Sequence, residues 1–207
     1  MKLSIAAASL LAGLSLFALP ACKSSKEVAT EVATRDVRSF QASLDQIPGQ
    51  IDTVMAKLNT LTAGDVSNPS ALFAEYSREL RTLTEHGAQV AAARDDAERN
   101  VQRYFREWVK QSRGIKTSAD RDAAYKAIDA GKSRTDIAMG YLRDGSRDFR
   151  ALLDKLNGFQ STLAKDLSPA SLKSVGSQYG PTLDKAISVK GYIARLSEQI
   201  DAALLGK

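Results

Sequence analysis

The chain has 207 residues, 43% of them hydrophobic and 26% charged, with 29 basic and 24 acidic side chains, one Cys and one His. That is the length of one ordinary domain. A single cysteine excludes an internal disulfide framework, and one Cys with one His cannot close a zinc site from those ligand types, so no metal or cofactor is expected. The apolar content is too high for wholesale disorder, and beyond the N-terminus no apolar run approaches the roughly 20 residues of a membrane-spanning helix.

The first predicted element is a secretory signal peptide over residues 1–21: Met1 and Lys2 give a basic start, and an Ala- and Leu-rich stretch runs to Leu19. The run Leu19-Pro20-Ala21-Cys22 resembles the lipobox of bacterial lipoproteins, with cleavage between Ala21 and Cys22 and a lipid on the Cys22 thiol. Cleavage removes one basic side chain, Lys2, and leaves 28 basic against 24 acidic. A diacylglyceryl group with an amide-linked acyl chain satisfies the rule that stable anchoring takes more than one chain. In enteric lipoproteins Asp after the lipidated Cys favours the inner membrane; this chain has Lys23, and the resemblance implies the periplasmic face of the outer membrane.

The next element is a helix over about 25–62. Its seam, Val37, Phe40, Leu44, Ile47, Ile51, Val54, Leu58 and Leu61, alternates spacings of three and four. Ser24 and Glu27 have the form of a capping box at its start, and Gly64 followed by Asn68-Pro69 ends it. The four-residue unit Glu27-Val28-Ala29-Thr30 recurs once as Glu31-Val32-Ala33-Thr34, too little for a solenoid.

A second helix over about 70–112 carries Phe73, Tyr76, Leu80, Leu83, Gly87, Val90, Arg94, Ala97, Val101, Tyr104 and Trp108, thin in the middle. Thr117 and Asp120 open a third, over about 118–166, whose looser seam is Ile128, Thr135, Met139, Leu142, Phe149, Leu153, Leu156, Leu163 and Leu167. Ser168-Pro169 starts a fourth over about 169–205, with Leu172, Val175, Tyr179, Thr182, Ala186, Val189, Ile193, Leu196, Ile200 and Ala203. The expected fold is all-α. Four such helices with short connections predict a long up-down-up-down antiparallel bundle over 22–206, each helix about 60 Å long. Pro48-Gly49, Gly87, Gly140 to Gly145 and Gly180-Pro181 fall roughly 30–40 Å from the lipid end in this arrangement, which predicts a shared kink or narrowing.

Arg99, Arg103, Arg106, Lys110 and Arg113 follow at spacings of four, three, four and three, each two places beyond a seam residue, so they point about 200° from the core. They are the candidate surface for an anionic partner such as lipid A phosphates, anionic phospholipid or an acidic protein. A solvated outer face complementing nearby carboxylates is the plainer reading. Tyr104, Phe105 and Trp108 are read as core closure rather than a ligand cage. His86 is read as a flank residue, since no Ser or Cys nucleophile stands in a recognisable motif. The terminal Lys207 resembles in one residue the end of the murein lipoprotein, which is joined there to peptidoglycan, and is read as an ordinary terminus. No GxGxxG, P-loop, GxSxG or HExxH pattern occurs, and no enzymatic activity is expected.

Phe105-Arg106-Glu107-Trp108, Tyr125 and Leu163-Ala164-Lys165-Asp166-Leu167-Ser168 give the chain, from about residue 30 to 206, a resemblance to domain-of-unknown-function family 2959, bacterial helical lipoproteins. That resemblance implies a coiled, all-helical envelope protein and carries no activity with it. The expected role is a structural, spacer or protein-interaction module on a membrane anchor; the alternative is a binding module for an anionic envelope component. Nucleic acid does not fit that compartment. The oligomeric state is left open.

Overall fold

The computed structural model describes residues 25–63 and 67–205. The expected signal peptide, Cys22 and Lys207 lie outside the described residues. Helix accounts for 90% of the described residues, and there is no strand among them. The helices are α1 (Ser25–Leu44), α2 (Ile47–Thr62), α3 (Pro69–Ser112), α4 (Ser118–Leu163), α5 (Pro169–Gly176) and α6 (Tyr179–Leu205).

Two expected helices are each divided in two, and a proline explains both divisions. Proline has no N–H and its ring clashes with the carbonyl four residues back. Pro48 therefore denies helical continuation to Leu44, the last residue of α1, and the chain turns at Asp45 and Gln46 before the Gln50 amide bonds the Gln46 carbonyl (3.2 Å) to start α2. Pro181 acts in the same way on Ser177. α5 stops at Gly176, and α6 restarts with the Thr182 amide on the Gln178 carbonyl (3.2 Å). The third helix ends at Leu163, short of 166, because Asp166 has left the helix to accept the Ser168 amide (2.8 Å) and the hydroxyls of Ser168 and Ser171. The Ser168 hydroxyl in turn accepts the Ser171 amide and caps α5.

The helices pack into two compact helical units. Unit 1 holds, of the described residues, 25–42, 91–141 and 195–205; unit 2 holds 43–90, without the undescribed 64–66, and 142–194.

In unit 1 the core gathers Ala33 of α1, Tyr104, Phe105 and Trp108 of α3, and Ile128 of α4, with Val101, Val109, Tyr125 and Ala127 packed against them. The Asn100 amide donates to Asp36 (2.7 Å), and the Gln41 amide donates to Asp201 of α6 (2.7 Å). These bonds fix the levels of α3 and α6 against α1. The described part of α6 ends four residues beyond Asp201, and among the described residues the core at the level of Ala33 is built from α1, α3 and α4. Ala29 and Ala33, equivalent positions of the short duplication, are both buried, and the small side chain of Ala33 lies in the cluster that the aromatic rings fill.

In unit 2 the fully buried residues come from four segments, among them Leu58 of α2, Tyr76 and Leu83 of α3, Leu156 of α4 and Val189 of α6. Lys57 and Gln50 of α2 reach Glu75 and Glu79 of α3, and the Tyr76 hydroxyl donates to the Leu156 carbonyl of α4 (2.7 Å). Lys190 of α6 donates to Asp52 of α2 (2.6 Å), and Gly176 at the end of α5 lies against Thr62. The α4 stripe here is Leu152, Leu156, Phe159 and Leu163, not the expected Phe149, Leu153, Leu156 and Leu163. The two stripes share Leu156 and Leu163. Phe149 is only partly buried, with its ring against Gly87, and Phe159 joins the buried stripe although the expected seam does not include it.

The expected waist is resolved into separate causes. α3 and α4 run unbroken through Gly87, Gly140 and Gly145. At Gly87 a β-carbon would stand 2.6 Å from the Phe149 ring, and at Gly145 3.2 Å from Tyr192 Cβ, so these two glycines admit a close approach. Gly49, Gly140 and Gly180 have nothing within 4 Å of that position and serve no such purpose. Gly87→Ala is therefore expected to lower stability by about 1–3 kcal/mol through overpacking. Gly140→Ala, in open space on the same kind of helix, is expected to raise it by up to about 1 kcal/mol. Thermal melts of the two variants check the contrast; equal gains would show that the Phe149 ring gives way without cost.

Candidate functional site

On α3 between Ala97 and Ser112 the two faces separate cleanly. Ala97, Tyr104, Phe105, Trp108 and Ser112 are buried, the last donating its hydroxyl to the Trp108 carbonyl (2.9 Å). Arg99, Arg103, Arg106, Lys110 and Arg113 are all exposed, on one face, as their spacing predicts. Arg99 is paired with Asp96 of its own helix. Among the described residues no carboxylate comes within ion-pair distance of Arg103, Arg106, Lys110 or Arg113. Lys110 also stands in the last turn of α3, where a cation complements the helix dipole. Exposed pairs in this region, such as Arg94 with Asp95, contribute at most about 1 kcal/mol each and are screened by salt.

The loop after the stripe is short and basic. The Gly114 amide bonds the Gln111 carbonyl (3.0 Å), the Ile115 amide bonds the Ser112 carbonyl (3.2 Å), and the Thr117 hydroxyl accepts the Asp120 amide (3.2 Å) to cap α4. Arg113, Gly114 and Lys116 are exposed and Ile115 is partly so. The sequence pattern points to the stripe but not to this loop, because only the register between helices shows what the loop lies beside.

Unit 2 carries an open groove of about 600 Å³, lined by Glu75, Ser77, Arg78 and Arg81 of α3 and by Asn157 and Gln160 of α4, among others. Its charges are already engaged. Glu75 is bonded to Lys57 (2.7 Å), which holds its carboxyl below the ordinary glutamate value, Arg78 pairs with Glu79 (3.1 Å), and Arg81 reaches Glu85 (3.9 Å). Periodicity cannot find such a groove, since Glu75, Ser77, Arg78, Arg81 and Asn157 all lie off the apolar seams.

Other ionisable groups are set by local contacts. The hydroxyl of Ser171, with the amide and hydroxyl of Ser168, keeps Asp166 below the ordinary aspartate value. Burial pushes the Tyr104 phenol up to about 12 and that of Tyr76 higher still. His86 is half-buried, and its Nδ1 and the Ser77 hydroxyl are buried without a hydrogen-bond partner. Among the described residues no three His, Cys, Asp or Glu side chains gather as a metal site, and no described helix is long and apolar enough to cross a membrane.

No family model, curated protein or solved structure matches this chain.

Proposed function

We propose that this protein is a lipid-anchored envelope protein of bacteria. On this reading it is held by Cys22 to the periplasmic face of the outer membrane and acts as a structural, spacer or interaction module. The observation that carries the reading is the position of the only cysteine. It ends a basic, then apolar, leader and stands three residues before α1, so a lipid there would tether the helical part directly. The helices are read as one up-down-up-down sequence in which α1 with α2 and α5 with α6 each form a proline-divided arm. The cross-helix bonds within unit 2 support this, since partner numbers rise on one helix as they fall on its neighbour: Gln50 with Glu79 and Lys57 with Glu75, then Asp52 with Lys190 and Thr62 with Gly176.

Growth with an alkyne-bearing fatty acid, followed by membrane fractionation, tests the anchor. The wild-type chain is expected to carry the label and sediment with outer membranes, and Cys22→Ser to lose both. Labelling that survives Cys22→Ser, or a wild-type chain that never acquires it, removes the reading.

A second reading is favoured by Arg103, Arg106 and Lys110 of α3 and Arg113 just beyond it, which have no carboxylate partner among the described residues: a module that binds an anionic envelope component along this exposed face. Reversing Arg103, Arg106 and Lys110 to Glu separates the two. Retention of the unacylated Cys22→Ser chain on lipid A or on an acidic partner should collapse only under this second reading, and its loss should track ionic strength.

A further inference from the structure

The levels of the helices in unit 1 place the α3–α4 loop at the same end as the start of α1. Asp36 and Asn100 are bonded side by side. Eleven residues back along α1 is Ser25 and eleven forward along α3 is Gln111, each about 16 Å away at the helical rise. Ala33 and Ile128 share the core cluster, and from them the starts of α1 and α4 lie eight and ten residues away, about 12 and 15 Å. The end of unit 1 that begins α1 therefore also presents Lys110, Arg113, Ile115 and Lys116. α6 does not extend to this end among the described residues, since Gln41 holds Asp201 sixteen residues above Ser25.

Resting on the reading of Cys22 as the anchor, we propose that this end of unit 1 is a membrane-contact surface. Its partner is the anionic phospholipid headgroup layer of the leaflet that holds the lipid. Three residue steps lead from Cys22 to Ser25 and span at most about 11 Å. That is close to the Debye length of ~8–10 Å at physiological salt, so cations at this end feel the surface charge that more distant cations do not. From 110 to 121 the chain carries four basic residues against one acidic, while residues 23–31 are balanced, two lysines against two glutamates, so the attraction comes from the loop. Ile115, flanked by Gly114 and Lys116 at the tip, supplies an apolar side chain of the kind that settles into the headgroup boundary between snorkelling cations. The loop and the acyl chains together would hold the protein at two points.

The test uses acylated full-length mature protein in vesicles of phosphatidylethanolamine with one-quarter phosphatidylglycerol. An environment-sensitive fluorophore is placed on Ile115→Cys, or for comparison on Ala42→Cys, an exposed position of α1 about 25 Å from Ser25. Mass spectrometry first establishes that Cys22 carries its lipid. The probe at 115 is expected to shift to the blue and to be quenched by brominated lipid, while the probe at 42 stays in water. Arg113→Gln with Lys116→Gln should abolish the shift, and Arg103→Glu with Arg106→Glu should leave it.

An acylated chain whose probe at 115 matches that at 42 overturns this proposal and leaves the anchor standing. A chain without the Cys22 lipid overturns both. Should the cysteine at 115 disturb the loop, vesicle flotation of the unacylated Cys22→Ser chain gives the second measurement. Arg113→Gln with Lys116→Gln is expected to weaken its partition to phosphatidylglycerol vesicles about 25-fold, from about fivefold per cation at an anionic surface. An unchanged partition, or equal binding to neutral phosphatidylcholine vesicles, overturns the proposal, as does binding that requires lipid A.

Discussion

Tyr76→Ala is expected to cost about 3–5 kcal/mol, the range for deleting a large buried aromatic side chain. Tyr76 is 0% exposed and its hydroxyl ties α3 to the Leu156 carbonyl of α4. Tyr76→Phe keeps the ring and gives up one hydrogen bond, so its cost should be about 1 kcal/mol. Urea denaturation of the three proteins checks this order. If alanine costs no more than phenylalanine does, the ring is not holding α3 to α4.

The same residue carries a pH signature. Burial raises its phenol pKa, and that of Tyr104, above the unfolded value near 10. A raised folded pKa means that the contribution to stability is fully present below pH 10 and is lost as pH rises past it, because the unfolded chain ionises first. Alkaline destabilisation should thus begin near pH 10 and be blunted in Tyr76→Phe.

Trp108→Ala is the second large effect, again about 3–5 kcal/mol. Trp108 packs against Tyr104 with ring centroids 5.6 Å apart, and Phe105 completes the cluster at 5.3 Å from Tyr104. Among the described residues the cluster at this level is built from α1, α3 and α4, and the rings fill most of its volume. The complementary change, Ala33→Leu, adds volume at the same place and should cost about 1–3 kcal/mol. Far-UV circular dichroism during denaturation reads both variants. The wild type offers a further check, because Trp108 is the only tryptophan and its fluorescence reports unit 1 alone. Tyr76→Ala, in unit 2, should shift the circular-dichroism transition; the same shift in Trp108 fluorescence would show that the units unfold together. A Trp108→Ala chain with wild-type stability would remove the aromatic cluster from the core.

The basic stripe was legible because exposure is the complement of a buried period: once Ala97, Tyr104 and Trp108 face inward, positions two places on must face out. Which of those cations has a partner was not legible. Arg99 reaches Asp96 while the others do not, and that depends on side-chain rotamers rather than on spacing. The basic loop escaped notice for a different reason. Lys116 belongs to no helical period, and its nearness to the start of α1 follows from the Asp36–Asn100 bond, a contact 64 residues apart.

The sequence by itself determined the all-helical class and the inward face of the last arm. Leu172, Val175, Thr182, Ala186, Val189, Ile193, Leu196 and Ile200 of the expected seam are buried, and Tyr179, beside the break between α5 and α6, is only partly so. It determined the helix starts at Asn68-Pro69 and Ser168-Pro169 as well, since caps and proline act within one turn of chain. Only the tertiary structure decided whether Pro48 and Pro181 would bend a helix or divide it, which α4 face turned inward, and which glycines mattered. Leu152 is buried and Leu153 only partly so, and the Phe149 ring on the same helix lies against Gly87, more than sixty residues earlier in the chain. A local pattern specifies that a face is apolar; the shape of what meets it sets the final rotation, and that shape comes from distant residues.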